Sequence, residues 1–140
     1  MNEIDRAAIT TLEMIADCHA VLGELCQAVR RQPEVSSVEY AVEIRRYGDD
    51  PWFEGYVDAE LKCDKSICWW LEMNWPSGQW EIGYSIRITE SQGQFVLKKF
   101  PTEVVTSFQD LPATLLNCAR QLRASLELVD LSKDRPVLRE

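Results

Sequence analysis

The stretch ICWWLEMNWPSGQWEIGYSIRI, residues 67–88, decides the fold. On either side of PSGQ the apolar residues fall at every second position: Ile67, Trp69, Leu71, Met73 and Trp75, then Trp80, Ile82, Tyr84, Ile86 and Ile88. A period of two with a turn signal between the halves predicts a β-hairpin. The stretch carries four of the chain's five tryptophans. Keeping the apolar residues on one side sets Trp75 opposite Trp80, Leu71 opposite Tyr84 and Trp69 opposite Ile86. Trp69, Trp75 and Trp80 then belong mostly to a core, because large aromatic rings dominate core burial, with Trp75 and Trp80 at the hairpin end open to half-exposure. Trp70 has the opposite parity and faces outward, across from Ser85.

The same period continues upstream. Val38, Tyr40, Val42 and Ile44 alternate with Glu39, Ala41, Glu43 and Arg45, and Val57, Ala59 and Leu61 alternate with Asp58, Glu60 and Lys62. A less regular fifth run occupies residues 94–100, and the segments YGDDP, KCDKS and TESQGQ supply the turns. The period is helical at both ends. Residues 3–31 place Ile4, Ala8, Leu12, Ile15, Leu22, Cys26 and Val29 three or four apart or at multiples of that spacing. Asn2 stands at the N-cap position, Pro33 marks the end and Gly23 marks a weak middle. A second stripe of Met14, Cys18, Val21 and Leu25 widens the apolar face, so the helix either lies deep in the domain or also meets a second copy of the chain. From Asp110, with Pro112 in the first turn, Leu111, Leu115, Cys118, Leu122, Leu126 and Val129 form another stripe. Two helices and a sheet with one apolar face are all buried if both helices cover that face. The expected fold is a two-layer α+β domain over residues 1–130, with a long N-terminal helix, an antiparallel meander of four or five strands and a C-terminal helix. Residues 131–140 read as a loose tail.

That arrangement leaves the other sheet face open. Parity places Glu43, Asp58, Trp70 and Ser85 in one outward row, and Arg45, Tyr56, Glu72 and Gly83 in the next. Trp52 shares the parity of Tyr56 and stands near Asp50 and Glu54. A solvated face with charges paired across strands is the ordinary outcome for an antiparallel sheet. The sharper reading is an interface, since aromatic anchors among carboxylates are what binding hot spots are made of. The candidate partner-binding residues are Tyr56, Asp58, Trp70 and Glu72, then Trp52, Asp50 and Glu54. The rings serve as anchors and the carboxylates meet Lys or Arg.

The composition excludes several functions. A net charge of −8 disfavours nucleic acid and anionic membrane surfaces. The chain has no apolar run near the ~20 residues of a bilayer span. MNEIDRAAIT is no secretory leader and RPVLRE no lipidation signal. Five cysteines, an odd number, read as free thiols in a reducing cytoplasm. With a single histidine, His19, the chain is expected to hold neither metal nor cofactor. His19 reads as a core or boundary residue of the first helix. No nucleophile elbow or glycine-rich phosphate loop occurs. Carboxylates on an open sheet lack the desolvation that would part their pKa values for acid–base work.

A small, acidic chain with a helix–meander–helix outline resembles the immunity proteins that neutralise bacterial toxins, many of them basic nucleases. The resemblance spans the whole chain through size, charge and outline. It implies a non-enzymatic protein that binds a basic partner. Two other readings stand beside it. One is an acidic secretion-type chaperone, dimeric through the first helix. The other is a small-molecule binder or enzyme with a cavity between sheet and helices, lined by Trp69, Trp75, Trp80 and Tyr84.

Overall fold

The computed structural model describes residues 1–76 and 78–140. Ser77, in the loop of the decisive hairpin, lies outside the described residues. Helix α1 (Glu3–Arg30) is followed by strands β1 (Val35–Tyr47), β2 (Asp50–Leu61), β3 (Ser66–Asn74), β4 (Trp80–Glu90), β5 (Gly93–Lys99) and β6 (Glu103–Val105). A 3-10 turn (Phe108–Asp110) leads into helix α2 (Leu111–Ser125), and two short strands, β7 (Val129–Asp130) and β8 (Val137–Leu138), close the chain. The sheet order is β1-β2-β3-β4-β5, with every pair antiparallel. β6 joins the same edge of the sheet by pairing with the start of β4. This is the α+β meander that the periodicity predicts, with a broken edge strand added.

Local chemistry explains the boundaries. The Asn2 side chain accepts a hydrogen bond from the Asp5 amide at 2.8 Å and caps α1. α1 ends three residues before Pro33. Asp110 occupies the N-cap position of α2 without a side-chain bond, while Ser107 accepts from Gln109 and caps the turn before it. The β1–β2 connection is only Gly48 and Asp49, with Gly48 at φ 66°, a left-handed angle that glycine adopts freely.

Both helices lie on one face of the sheet, α1 over β1 and β2 and α2 over β3 and β4. Leu22, Leu25, Val29, Val57, Ile67, Trp69, Leu71, Ile86, Leu115 and Leu122 are among the fully buried residues between the layers. Trp69 is central: its indole N–H donates to Ser125 Oγ at 3.2 Å, and Ser125 donates in turn to the Leu122 carbonyl at 2.6 Å. α1 approaches β2 most intimately at Gly55, where an added methyl group would stand 2.7 Å from Leu22 Cδ1. Gly23 plays the matching part on the helix, where the Tyr40 ring lies against it, and α1 runs through that position unbroken.

Three expectations are altered. Ile4 and Leu12, the start of the first apolar stripe, are 80% and 68% exposed, and no residue before Met14 is buried. The first turns of α1 reach past the sheet. Second, two hairpins pair in a different register. Tyr56 faces Trp70 and Glu54 faces Glu72, in place of Asp58–Trp70 and Tyr56–Glu72. Glu43 faces Glu54 and Arg45 faces Trp52, in place of Glu43–Asp58 and Arg45–Tyr56. The turns are tighter than YGDDP and KCDKS suggest, so the ladders continue through Tyr47 and Asp50. Each slip is an even number of residues, so every side chain keeps its face. Third, residues 131–140 turn back onto the domain. β8 pairs with β7, Leu131 and Pro136 are buried, and Arg135 pairs with Glu90 on β4.

Substituting Gly55→Ala is expected to destabilise the fold by about 1–3 kcal/mol, because the new methyl meets Leu22 in a filled layer. Urea unfolding checks this, and an unchanged midpoint would show that α1 is free to lift from the sheet.

Candidate functional site

The face of the sheet away from the helices carries the outward residues of β1 to β4. Its central row runs Glu43, Glu54, Glu72 across three neighbouring strands. Glu72 lies over Gly83 on β4, its Oε1 3.2 Å from where a side chain there would begin. Directly opposed like charges destabilise a sheet, so this row needs local compensation. Glu54 has the most of it. It is 2% exposed, accepts a hydrogen bond from the Tyr47 hydroxyl and lies 3.5 Å from the Arg45 guanidinium. Arg45 also pairs with Glu43. With both oxygens engaged, Glu54 ties the β1–β2 hairpin together and is poorly placed to exchange protons with a substrate.

The next row joins Tyr56, Trp70 and Ser85. Tyr56 and Trp70 stack with ring centroids 6.1 Å apart and planes 12° from parallel. The Arg87 guanidinium stands 5.2 Å from the Trp70 ring, and the Trp70 indole N–H donates to Glu72 Oε2 at 3.0 Å. Trp70 is thus half-buried by a tyrosine, a cation and a carboxylate and held in one orientation. Beyond it, Asp58 faces Glu39 on one side and Cys68 on the other. Burial, then Glu39 and Glu60, pushes the Asp58 carboxyl above the ordinary aspartate value. Burial pushes the Cys68 thiol up to about 12, so this half-buried cysteine stays a neutral thiol.

Of the seven sequence-predicted residues, Glu54, Tyr56, Asp58, Trp70 and Glu72 therefore share one surface. Trp52 keeps their parity at the end of the sheet, against Tyr47 and next to Glu54, and Asp50 stands where β2 begins, near the turn of the β3–β4 hairpin. There they line a cavity of about 530 Å³ together with Met14 and Ile15 of α1, Phe53, Trp75, Trp80 and Phe108. Trp75 and Trp80 meet edge to face at 4.6 Å, and Trp75 is 45% exposed at the mouth. Trp69 and Tyr84, expected to line a cavity, are instead buried in the filled core, where the Tyr84 hydroxyl donates to Gln121 at 2.9 Å. Trp52 packs edge-on against Tyr47 at 5.3 Å, and its buried indole N–H has no hydrogen-bond partner among the described residues.

The remaining chemistry-bearing groups are dispersed. His19 is exposed on α1 and packs against the Tyr40 ring at 5.0 Å. Cys18 and Cys118 are buried, and burial raises their thiols to about 12 and about 11. Cys63 is exposed in the β2–β3 turn. No group of three or more His, Cys, Asp or Glu side chains among the described residues is arranged to hold a metal ion. No helix is long and apolar enough to cross a membrane.

The raised Asp58 value has a stability consequence. The folded chain holds this proton to higher pH than the unfolded chain does, so the group's contribution to stability falls as pH rises from the ordinary aspartate range through the folded value. Asp58→Asn is expected to raise the melting temperature at pH 7, with the gain vanishing below about pH 4, where the native carboxyl is also protonated. Melting curves across that range check the sign; a variant less stable at pH 7 would show that the carboxylate is compensated.

Compared with protein-family models, curated proteins and solved structures, the chain matches none.

Proposed function

We propose that the protein is a non-enzymatic binding module that engages a basic protein through the outer face of its sheet. The observation that carries this reading is the row Glu43, Glu54, Glu72 beside the stacked Tyr56 and Trp70. Three carboxylates on adjacent strands repel one another, and Arg45 is the cation bonded within the row. A partner's Lys or Arg side chains at Glu43 and Glu72, which unlike Glu54 are not buried, would relieve that repulsion on binding, so affinity and charge complementarity point the same way. The rings are already ordered by stacking and by the Trp70–Glu72 bond, which keeps the entropic cost of association low. Neutralising a basic toxin, the role of the immunity proteins the chain resembles in outline, is the specific form of this function that charge and surface favour.

The test is capture of partners from the native host on the immobilised chain, with washes at low and high salt and identification by mass spectrometry. The expected result is one stoichiometric basic protein. Its affinity should drop roughly 30-fold or more when Trp70→Ala removes a central anchor and Glu72→Lys reverses a charge. The double variant's circular dichroism should match that of the parent. A partner that binds the variant unchanged, or no basic partner at either salt, removes this face from consideration.

A second reading, dimerisation through α1, is favoured by the exposed Ile4, Ile9 and Leu12 on the turns of α1 that reach past the sheet. Helical turns with so little burial are marginal in water, and a second copy would cover them. Sedimentation velocity is expected to show a dimer that Leu12→Glu converts to monomer. A monomeric parent chain at high micromolar concentration would dismiss this arrangement, and with it the chaperone comparison.

A further inference from the structure

The cavity at the end of the sheet has a chemistry of its own. Its volume, about 530 Å³, falls within the roughly 300–1,000 Å³ of small-molecule sites. Its floor is closed by Met14, Phe53, Met73 and Leu111, and its mouth is flanked by the exposed Trp75. Three of the chain's five tryptophans line it. Among the described lining residues there is no Lys, Arg or His, and the single charged side chain is Asp50.

We infer that this cavity binds a small organic cation, an aryl- or alkylammonium compound, whose apolar body lies among Trp52, Trp75, Trp80 and Phe108 and whose ammonium group is held near Asp50. Two physical arguments select that class. Indole faces are electron-rich and attract a cation placed over them, most strongly where water is excluded. The lone carboxylate adds attraction for a positive charge and repels a negative one. Phosphates, sulfates and fatty-acid carboxylates would find no cation to meet them among the described lining residues.

Three probes sharing one aromatic body separate charge from hydrophobicity: 2-phenylethylammonium, 2-phenylethanol and 3-phenylpropanoate. Each is titrated into the full chain while the five indole N–H resonances are followed by NMR. The cation is expected to shift the Trp52, Trp75 and Trp80 signals saturably and to leave Trp69 unmoved. The alcohol should bind on the order of tenfold more weakly and the anion more weakly still. Asp50→Asn should weaken the cation several-fold while leaving the alcohol unchanged. Trp75→Ala, at an exposed position, should abolish the Trp80 shift without loss of folding. Equal affinity for the three probes, a preference for the alcohol or anion, or no saturable shift at these indoles would overturn the inference.

Discussion

The hydrogen bond from the Trp69 indole to Ser125 holds the two layers in register, and much of the molecule follows from it. Trp69 is the largest fully buried side chain, and its one polar atom has to be satisfied inside the core. Ser125, at the last turn of α2, accepts that bond while its own hydroxyl bonds back to Leu122. Losing Ser125 would leave the buried indole N–H unpaired, at a cost of about 1–3 kcal/mol. With Trp69 fixed inward, the period of the strand fixes Trp70 and Glu72 outward. The candidate interaction face is the other side of a constraint set in the core.

The part of the fold controlled by periodicity was legible in the sequence. Alternation assigned each residue of β1 to β4 to its face, and the β3–β4 pairing follows from the apolar match of Leu71 with Tyr84 and Trp69 with Ile86. The two earlier registers were not legible, because they depend on turn geometry. Gly48 closes the first hairpin in two residues, and a positive φ at Asp64 helps close the second. Neither angle is written in hydrophobic pattern. The even slip explains why the list of outward residues survived while their neighbours changed, so that Trp70 found Tyr56 in place of Asp58.

The end cavity was legible only in part, through Trp75 and Trp80, for a related reason. Trp52, Trp75 and Trp80 are brought together by where two hairpins terminate, and termination is set by turns. The N-terminal half of α1 shows the opposite failure. Ile4, Ala8 and Leu12 have a proper helical spacing, yet spacing reports an apolar stripe without saying what covers it. The sheet supports α1 only from Met14 onward.

Stability and surface chemistry pull against each other on the outer face. Asp58 is held above its ordinary pKa by burial and by Glu39 and Glu60, and Glu54 is desolvated between two other glutamates. A sheet selected for stability alone would place opposite charges across these strands. The concentration of like charge on a rigid, aromatic surface is the kind of local disfavour that functional surfaces retain. The face and the cavity meet at the β1–β2 hairpin. Trp52 lines the cavity and packs on Tyr47, and Tyr47 holds Glu54 in the acidic row.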